Sequence, residues 1–264
     1  MINDVAGLIK EVTSKIAEQT DYAVVGLSGG ADSTLVAILC ERALGKENVY
    51  GIHMPYNNLD RDTFNTKSAA LAVQLGIVDY EICIGPAVKA LTMHCDGGGN
   101  FSKLSELNQG NMRSRMRMVA LYTTCCQVAE RTGKQVRVIG TGNLSEDFIG
   151  YDTKGGDALA DFFPIGELVK SEVYQLLDYF VSEGIIKEEM VNRTPSAGLW
   201  DGQTDEDELG HTYAEMEPYV LDMSASGQVD MNDPISKFVW NRHITNKHKH
   251  EAPPVIELRR FCDG

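Results

Sequence analysis

A stretch of nine residues, GLSGGADST from Gly26 to Thr34, constrains this chain more than any other segment. It joins a short apolar run, AVVGL at 23–27, to a helical pattern from Asp32 to Leu44, in which Leu35, Ile38 and Leu39 recur at helical spacing and Gly45 stands as C-cap. That order reads as strand, tight turn, helix. Gly29 and Gly30 let the backbone turn sharply and approach a ligand, while the free N–H groups of the helix start point at whatever sits above the strand end. A phosphate chain fits there, with Ser28 and Ser33 adding hydroxyl donors. A plain turn in which Asp32 caps the helix uses the same residues. The turn contains neither GxxxxGK[ST] nor GxGxxG, which argues against a Walker-type NTPase and against a dinucleotide oxidoreductase.

The rest of the first half repeats the alternation. A helix is expected over 2–18, a strand over 48–54, a helix over 62–75 ending at Gly76, a strand over 78–84, a long helix over 110–131 and a strand over 135–141. Such alternation specifies an α/β fold, a doubly wound parallel sheet with helices on both faces and right-handed crossovers. Beyond Thr141 the chain is Gly/Asp-rich to about residue 166. A helix over 170–182, an acidic loop and a short helix near 212–221 follow. The segment 195–210, PSAGLWDGQTDEDELG, combines Pro, Gly and acids around Trp200 and is a candidate lid, although an ordinary surface connection has the same composition.

With 264 residues, 43% of them hydrophobic, the expectation is a single domain over 1–264 with a basic C-terminal tail at 237–264. A formal net charge of -14 disfavours nucleic acid, whose binding rests on Lys and Arg displacing counterions. The charge is uneven: residues 201–208 hold five acids, whereas 237–250 hold four Lys/Arg and three of the six histidines. A basic tail on an acidic chain points to a local anionic ligand, or simply to a solvated face. No apolar run reaches the length of a membrane span and the N-terminus lacks a secretory pattern, so a cytoplasmic location is expected. The six cysteines form no CxxC pair and sit mostly in apolar segments, which reads as buried thiols.

The loop resembles the SGGxDS pyrophosphate loop of the N-type ATP pyrophosphatases, which cleave ATP between its α- and β-phosphates and form an adenylate. Within that superfamily the chain is similar to the NAD synthetases through GNMRSRMRM at 110–118, GTGNLSED at 140–147, TKGGDALAD at 153–161, the 195–210 segment and HKHEAPP at 248–254. PSAGLW and the extra residue in HKHEAPP resemble the archaeal-type branch.

The resemblance implies that Gly26, Leu27, Ser28, Gly29, Gly30, Ala31, Asp32 and Ser33 cradle ATP, joined by Arg117, Thr141, Lys170 and Ser196. Asp32 and Glu146 would hold Mg²⁺, and Asp32 and Lys170 would support adenylation. Arg115, Lys154, Asp161, His248 and Lys249 would bind nicotinic acid adenine dinucleotide, or deamido-NAD. Ser196 stands where many relatives carry Thr, and His53 where they often carry an Arg near the adenine. Arg113, Arg115 and Arg117 are spaced by two residues, so on one helix they point in different directions.

The reaction implied is amidation of deamido-NAD to NAD by ammonia through an acyl-adenylate, with release of pyrophosphate and AMP and without a covalent enzyme intermediate. Glutamine-dependent relatives carry an amidohydrolase domain on the same chain, whereas the synthetase-like part fills this one. Free ammonia is therefore the expected donor, a separate glutaminase subunit being the other arrangement. The family also implies a homodimer; helices 2–18 and 110–131 are candidate shared surfaces, with ordinary core packing the simpler reading of their apolar faces. Two other readings of the loop are a tRNA-modifying ATP pyrophosphatase, disfavoured by the net charge and the absence of CxxC pairs, and a non-catalytic nucleotide-binding module.

Overall fold

The computed structural model describes residues 1–57, 65–96, 104–191 and 204–258. Four parallel strands, β1 (Tyr22–Gly26), β2 (Val49–His53), β3 (Val78–Glu81) and β4 (Val136–Ile139), pair in the order β3-β2-β1-β4. The chain steps outward from β1 to β3 and then returns to the opposite side of β1 as β4. Connections leaving β1 and β4 consequently diverge and open a crevice at the carboxyl edge, where ligands of open α/β sheets bind. A bridge from Ile139 to Phe162 extends the sheet past β4. Next to it, Asp161 donates its N–H to Val138 O at 2.9 Å and accepts the Val138 N–H on Oδ2 at 2.7 Å.

Ala23, Val24 and Val25 are all fully buried. Burial is continuous rather than alternating because helices cover both faces of the sheet. On one face Ala23 and Val25 pack with Ile9 and Ile16 of α1 (Val5–Gln19), Leu35 and Ile38 of α2 (Ala31–Leu44), Leu71 of α3 (Asn65–Leu75) and Val173 and Leu176 of α7 (Lys170–Ser182). On the other, Val24, Ile52 and Val138 meet Cys125 and Val128 of α5 (Glu106–Thr132), on which α4 (Gly85–Asp96) lies through Val88 and Met112. A separate apolar cluster joins Ile149 of α6 (Leu144–Ile149) to Met216 and Val220 of α9 (Tyr213–Ser226) and Val239 of α10 (Pro234–Asn246). The short helix α8 (Asp205–Leu209) contributes Leu209 to it.

The expected strands and helices are present with shifted ends, and the structure departs from the sequence reading in three places. Helix α4 was not anticipated, because Gly85-Pro86 reads as a loop, yet proline in a first helical turn lacks only an N–H that no intrahelical acceptor needs. The basic tail is half helix: residues 237–246 belong to α10, which Ser236 and Val239 anchor in the interior. Of the described cysteines only Cys40 and Cys125 are buried, and Cys83, Cys95 and Cys126 are exposed free thiols. The proposed lid lies largely outside the described residues, although its end forms α8.

Candidate active site

The loop between β1 and α2 is organised by its own hydroxyls. Ser28 N–H donates to Ser33 Oγ at 3.3 Å, the two serine hydroxyls lie 3.0 Å apart, and Gly30 N–H donates to Ser28 Oγ at 3.2 Å. Ser33 and Thr34 hydroxyls donate to Gly30 O at 3.1 and 2.8 Å. Gly29 has φ 78°, a left-handed conformation that a side chain would strain. Gly30 is the N-cap of α2 but supplies no side chain to cap it, and Asp32 sits in the first turn instead. The amides at the start of α2 and the Asp32 carboxylate thus face the crevice together.

Lys170, the first residue of α7, enters the crevice from the opposite wall. Its Nζ lies 2.6 Å from Asp32 Oδ2 and 2.7 Å from Glu146 Oε1, and its side chain is only 5% exposed. Burial lowers the affinity of Lys170 for its proton, but the two carboxylates outweigh it and the net shift is upward, so the ammonium stays charged. Burial pushes the Glu146 carboxyl up to about 8, with Asp32 adding to the rise and Lys170 opposing it. The Tyr213 ring stands 5.6 Å from the ammonium. A cleft lined by Ser28, Asp32, Ser33, Thr141, Gly142 and Glu146 continues to Asp147, Asp152 and Asp157. A larger cavity of about 460 Å³ between α4 and α5 lacks such convergence of charged groups beside the loop between β1 and α2, so the cleft is the better candidate for chemistry.

A second group of cations lies around the segment 150–158. Arg115 Nε donates to Lys154 O at 3.1 Å, and Lys154 Nζ donates to His248 O at 2.6 Å. Lys249 Nζ donates to Gly150 O and Asp152 O at 2.6 and 2.8 Å, and His250 pairs with the Asp152 carboxylate. Gly150 turns at φ 61°, and a Cβ there would come within 2.1 Å of the Asn246 Cβ. Glycine is required on both counts for α10 to lie against the end of α6.

The family model for NAD synthase matches residues 1–253. The chain belongs to the NAD synthase family. It is 38% identical to the NH(3)-dependent NAD(+) synthetase of Methanosarcina acetivorans over 264 residues, covering 97% of each chain. It is 35% identical to that of Methanocaldococcus jannaschii, covering 95% of this chain and 96% of the relative. Among solved structures, NMN synthetase from Francisella tularensis is similar with a TM-score of 0.79 and 29% identity, covering 97% of this chain and all of that one. NH3-dependent NAD synthetase from Campylobacter jejuni is similar with a TM-score of 0.72 and 28% identity, covering 96% of this chain.

Residues expected around ATP in an NAD synthase are therefore distributed unevenly in the structure. Ser28, Asp32, Ser33, Thr141 and Glu146 line one cleft, with Lys170 between the two carboxylates. Arg117 stands farther along the carboxyl edge, where its Nε donates to Met54 O at 3.2 Å. Arg113 instead lies over the Tyr56 ring at 4.2 Å, so the three arginines do diverge. Arg115, Lys154, His248 and Lys249 gather in the second group, whereas Asp161 serves the sheet edge. Ser196 lies outside the described residues. His53 is buried, bonded through Nδ1 to Ser68 Oγ at 2.9 Å and paired through Nε2 with Asp79. It ties β2 to α3 and β3.

Three residues escaped the sequence reading. Asn143, N-cap of α6, reaches Asp32 with its side chain. Asp205, from the acidic segment, turns inward and accepts a bond from Tyr213 Oη at 3.2 Å. Buried Glu217 accepts the Ser171 N–H at 2.9 Å and lies 3.3 Å from Ser145 Oγ, which fixes the start of α7 beside α6. For Asn143 a signal was present, since Asn three residues before Glu146 is a cap pattern inside GTGNLSED.

Proposed function

We propose that this chain joins ammonia to the nicotinate carboxylate of deamido-NAD at the expense of ATP, as an ammonia-dependent NAD synthetase and a ligase. The observation that carries the reading is the Asp32–Lys170–Glu146 constellation beside the phosphate loop, at the point where strand order reverses. Two hard carboxylates already converge on one cation there, a donor set that suits Mg²⁺. Asp32 and Glu146 would hold the ion, which when bound neutralises charge developing on the leaving pyrophosphate.

The backbone of residues 26–33 and the Ser28 and Ser33 hydroxyls hold the phosphate chain, with Thr141, Arg117 and Ser196 completing the nucleotide site. Lys170 serves the carboxylate pair as counter-ion and the phosphates as donor. Arg115, Lys154, His248 and Lys249 draw the anionic second substrate to the 150–158 segment, and Asp161 borders it. The nicotinate carboxylate oxygen attacks the α-phosphorus, the bond to the β-phosphate oxygen breaks, and pyrophosphate leaves. Ammonia then attacks the acyl carbon, loses a proton to solvent and expels AMP, leaving the amide. The chain's contribution is alignment and charge neutralisation.

Residues 1–264 act as one synthetase unit. Two copies pair, a reading supported by the large apolar side chains that Leu91 and Met93 of α4 and Leu107 and Val119 of α5 leave exposed. No helix of the described residues is long and apolar enough to cross a membrane. We place the protein in the cytoplasm, where exposed free thiols such as Cys83 and Cys126 persist.

The test is to incubate the protein with Mg²⁺-ATP, deamido-NAD and ammonium and to quantify NAD, AMP and pyrophosphate. Parallel tubes hold glutamine in place of ammonium, and nicotinic acid mononucleotide in place of deamido-NAD. Equal yields of the three products from deamido-NAD with ammonium support the reading. A preference for the mononucleotide would move the substrate towards that of the Francisella tularensis protein, and no ATP cleavage would leave a binding module.

A further inference from the structure

Asn143 is wholly buried at 0% exposure, and both ends of its amide are engaged at the carboxylate pair. Nδ2 donates to Asp32 Oδ1 at 2.9 Å, and Oδ1 accepts the Glu146 N–H at 3.2 Å. Only one orientation of the amide satisfies both partners, since a carboxylate can only accept and a backbone N–H only donate. The bond to Glu146 N–H is an ordinary N-cap of α6. The bond to Asp32 is not required by the helix, because it crosses 111 residues of sequence to the far wall of the crevice.

We infer that Asn143 is a positioning residue that sets the Asp32 carboxylate and the backbone of Glu146 at a fixed separation, so that the two carboxylates face one cation. The inference rests on the reading of Asp32 and Glu146 as the Mg²⁺ ligands. Asp32 has one oxygen on Lys170 and the other on Asn143. When Lys170 turns to the phosphates, the Asn143 bond still fixes the plane of the carboxylate and leaves Oδ2 directed at the space between the pair. A residue of this kind must donate and accept at once across the width of an amide. Serine caps a helix as well as asparagine does, but its hydroxyl is too short to reach Asp32 while capping Glu146.

That difference separates a positioning residue from a cap. Asn143→Ser keeps the cap and removes the donor to Asp32, whereas Asn143→Ala removes both. Affinity for Mn²⁺ would be read by electron paramagnetic resonance with an ATP analogue that carries a methylene between the α- and β-phosphorus, and thermal melting would be read alongside. Both variants are expected to bind Mn²⁺ about 10–100-fold more weakly, the usual cost of removing a residue that orients a metal ligand, with only Asn143→Ala melting clearly lower. The Mg²⁺ concentration for half-maximal turnover should rise in Asn143→Ser, with kcat restored at saturating Mg²⁺.

If Asn143→Ser binds Mn²⁺ within twofold of the unaltered protein and only Asn143→Ala is impaired, the residue is a cap and the inference is overturned. Should Asn143→Ser fail to fold, Asn143→Thr supplies the same capping hydroxyl with a bulkier side chain, and the same outcomes apply. Asp32→Asn in the same assay keeps the two readings apart. Unchanged Mn²⁺ affinity in Asp32→Asn would sink the metal reading itself, whereas a loss there with no loss in Asn143→Ser would sink only the positioning role.

Discussion

Charges on the two sides of the site are held in different ways. In the cleft beside the 26–34 loop, the central charges sit against charged or amide partners: buried Lys170 between the partly buried Asp32 and Glu146, and Asp32 against Asn143. These groups stand at the ends of β1 and at the starts of α2, α6 and α7, elements that are themselves packed in the core. In the second group, Arg115, Lys154 and Lys249 direct their cations at backbone carbonyls, and Arg115, Lys154 and His248 are exposed. The first arrangement fixes geometry before any ligand arrives. The second holds Arg115 and Lys154 through neutral acceptors, which give them up to an anion at smaller electrostatic cost, while Lys249 and His250 also face the Asp152 carboxylate.

The largest expected effect lies at the buried side. Asp32→Asn should lower AMP and pyrophosphate formation about a hundredfold or more, on the order of what one missing charge-stabilising group costs in other enzymes. Turnover near that of the unaltered protein in a coupled pyrophosphate assay would remove Asp32 from the chemistry. Lys170→Met should destabilise the protein without ligand by about 3 kcal/mol, because it leaves two carboxylates that are only 16% and 19% exposed without their cation. Denaturant melts with and without Mg²⁺ check this: if the contrast between the two regions is right, the ion should restore part of the loss.

On the exposed side the effects should fall on binding. Arg115→Ala is expected to raise KM for deamido-NAD about tenfold, the cost of one charge-assisted contact, while stability changes by less than about 0.5 kcal/mol as for other surface substitutions. Steady-state kinetics against each substrate would blur the comparison if KM for ATP rose equally.

The smallest effect should be a dependence on pH. The hydrogen bond from His250 to Asp152 raises the His250 pKa, with partial burial opposing, Asp152 and Asp147 adding by charge and Lys249 subtracting. A raised folded-state pKa means that docking is supported in full below the ordinary histidine value near 6.5 and is lost as pH climbs through the raised one. Amide exchange over residues 247–251, corrected for intrinsic rate, should therefore increase in mildly alkaline buffer and lose this dependence in His250→Gln. Unaltered protection across that range would show that the Lys249 contacts hold the segment alone.

Much of the cleft was legible in the sequence because its parts are local. The turn at 26–34 and the helix start at Lys170 depend on neighbours within a few residues, and these appeared where the pattern placed them. The basic segment was less legible. Composition pointed to an anionic ligand, yet Arg242 Nε lies 3.2 Å from Ile149 O and His243 Nδ1 2.9 Å from Phe148 O, and Lys249 covers Gly150 O. Part of that charge satisfies the carbonyl end of α6, an acceptor no sequence window reveals.

By itself the sequence determined the alternation of strands and helices and the tight turn at 26–34, since apolar period and glycine placement are properties of short windows, while the chemistry of that turn came from its resemblance to a family motif. Tertiary structure alone decided that strand order reverses beside β1, that Lys170 lies between Asp32 and Glu146, and that Asn143 joins the walls of the crevice. Each of these unites residues more than twenty positions apart. Their meeting depends on how the helices pack on the sheet, which many residues fix together and no single motif encodes.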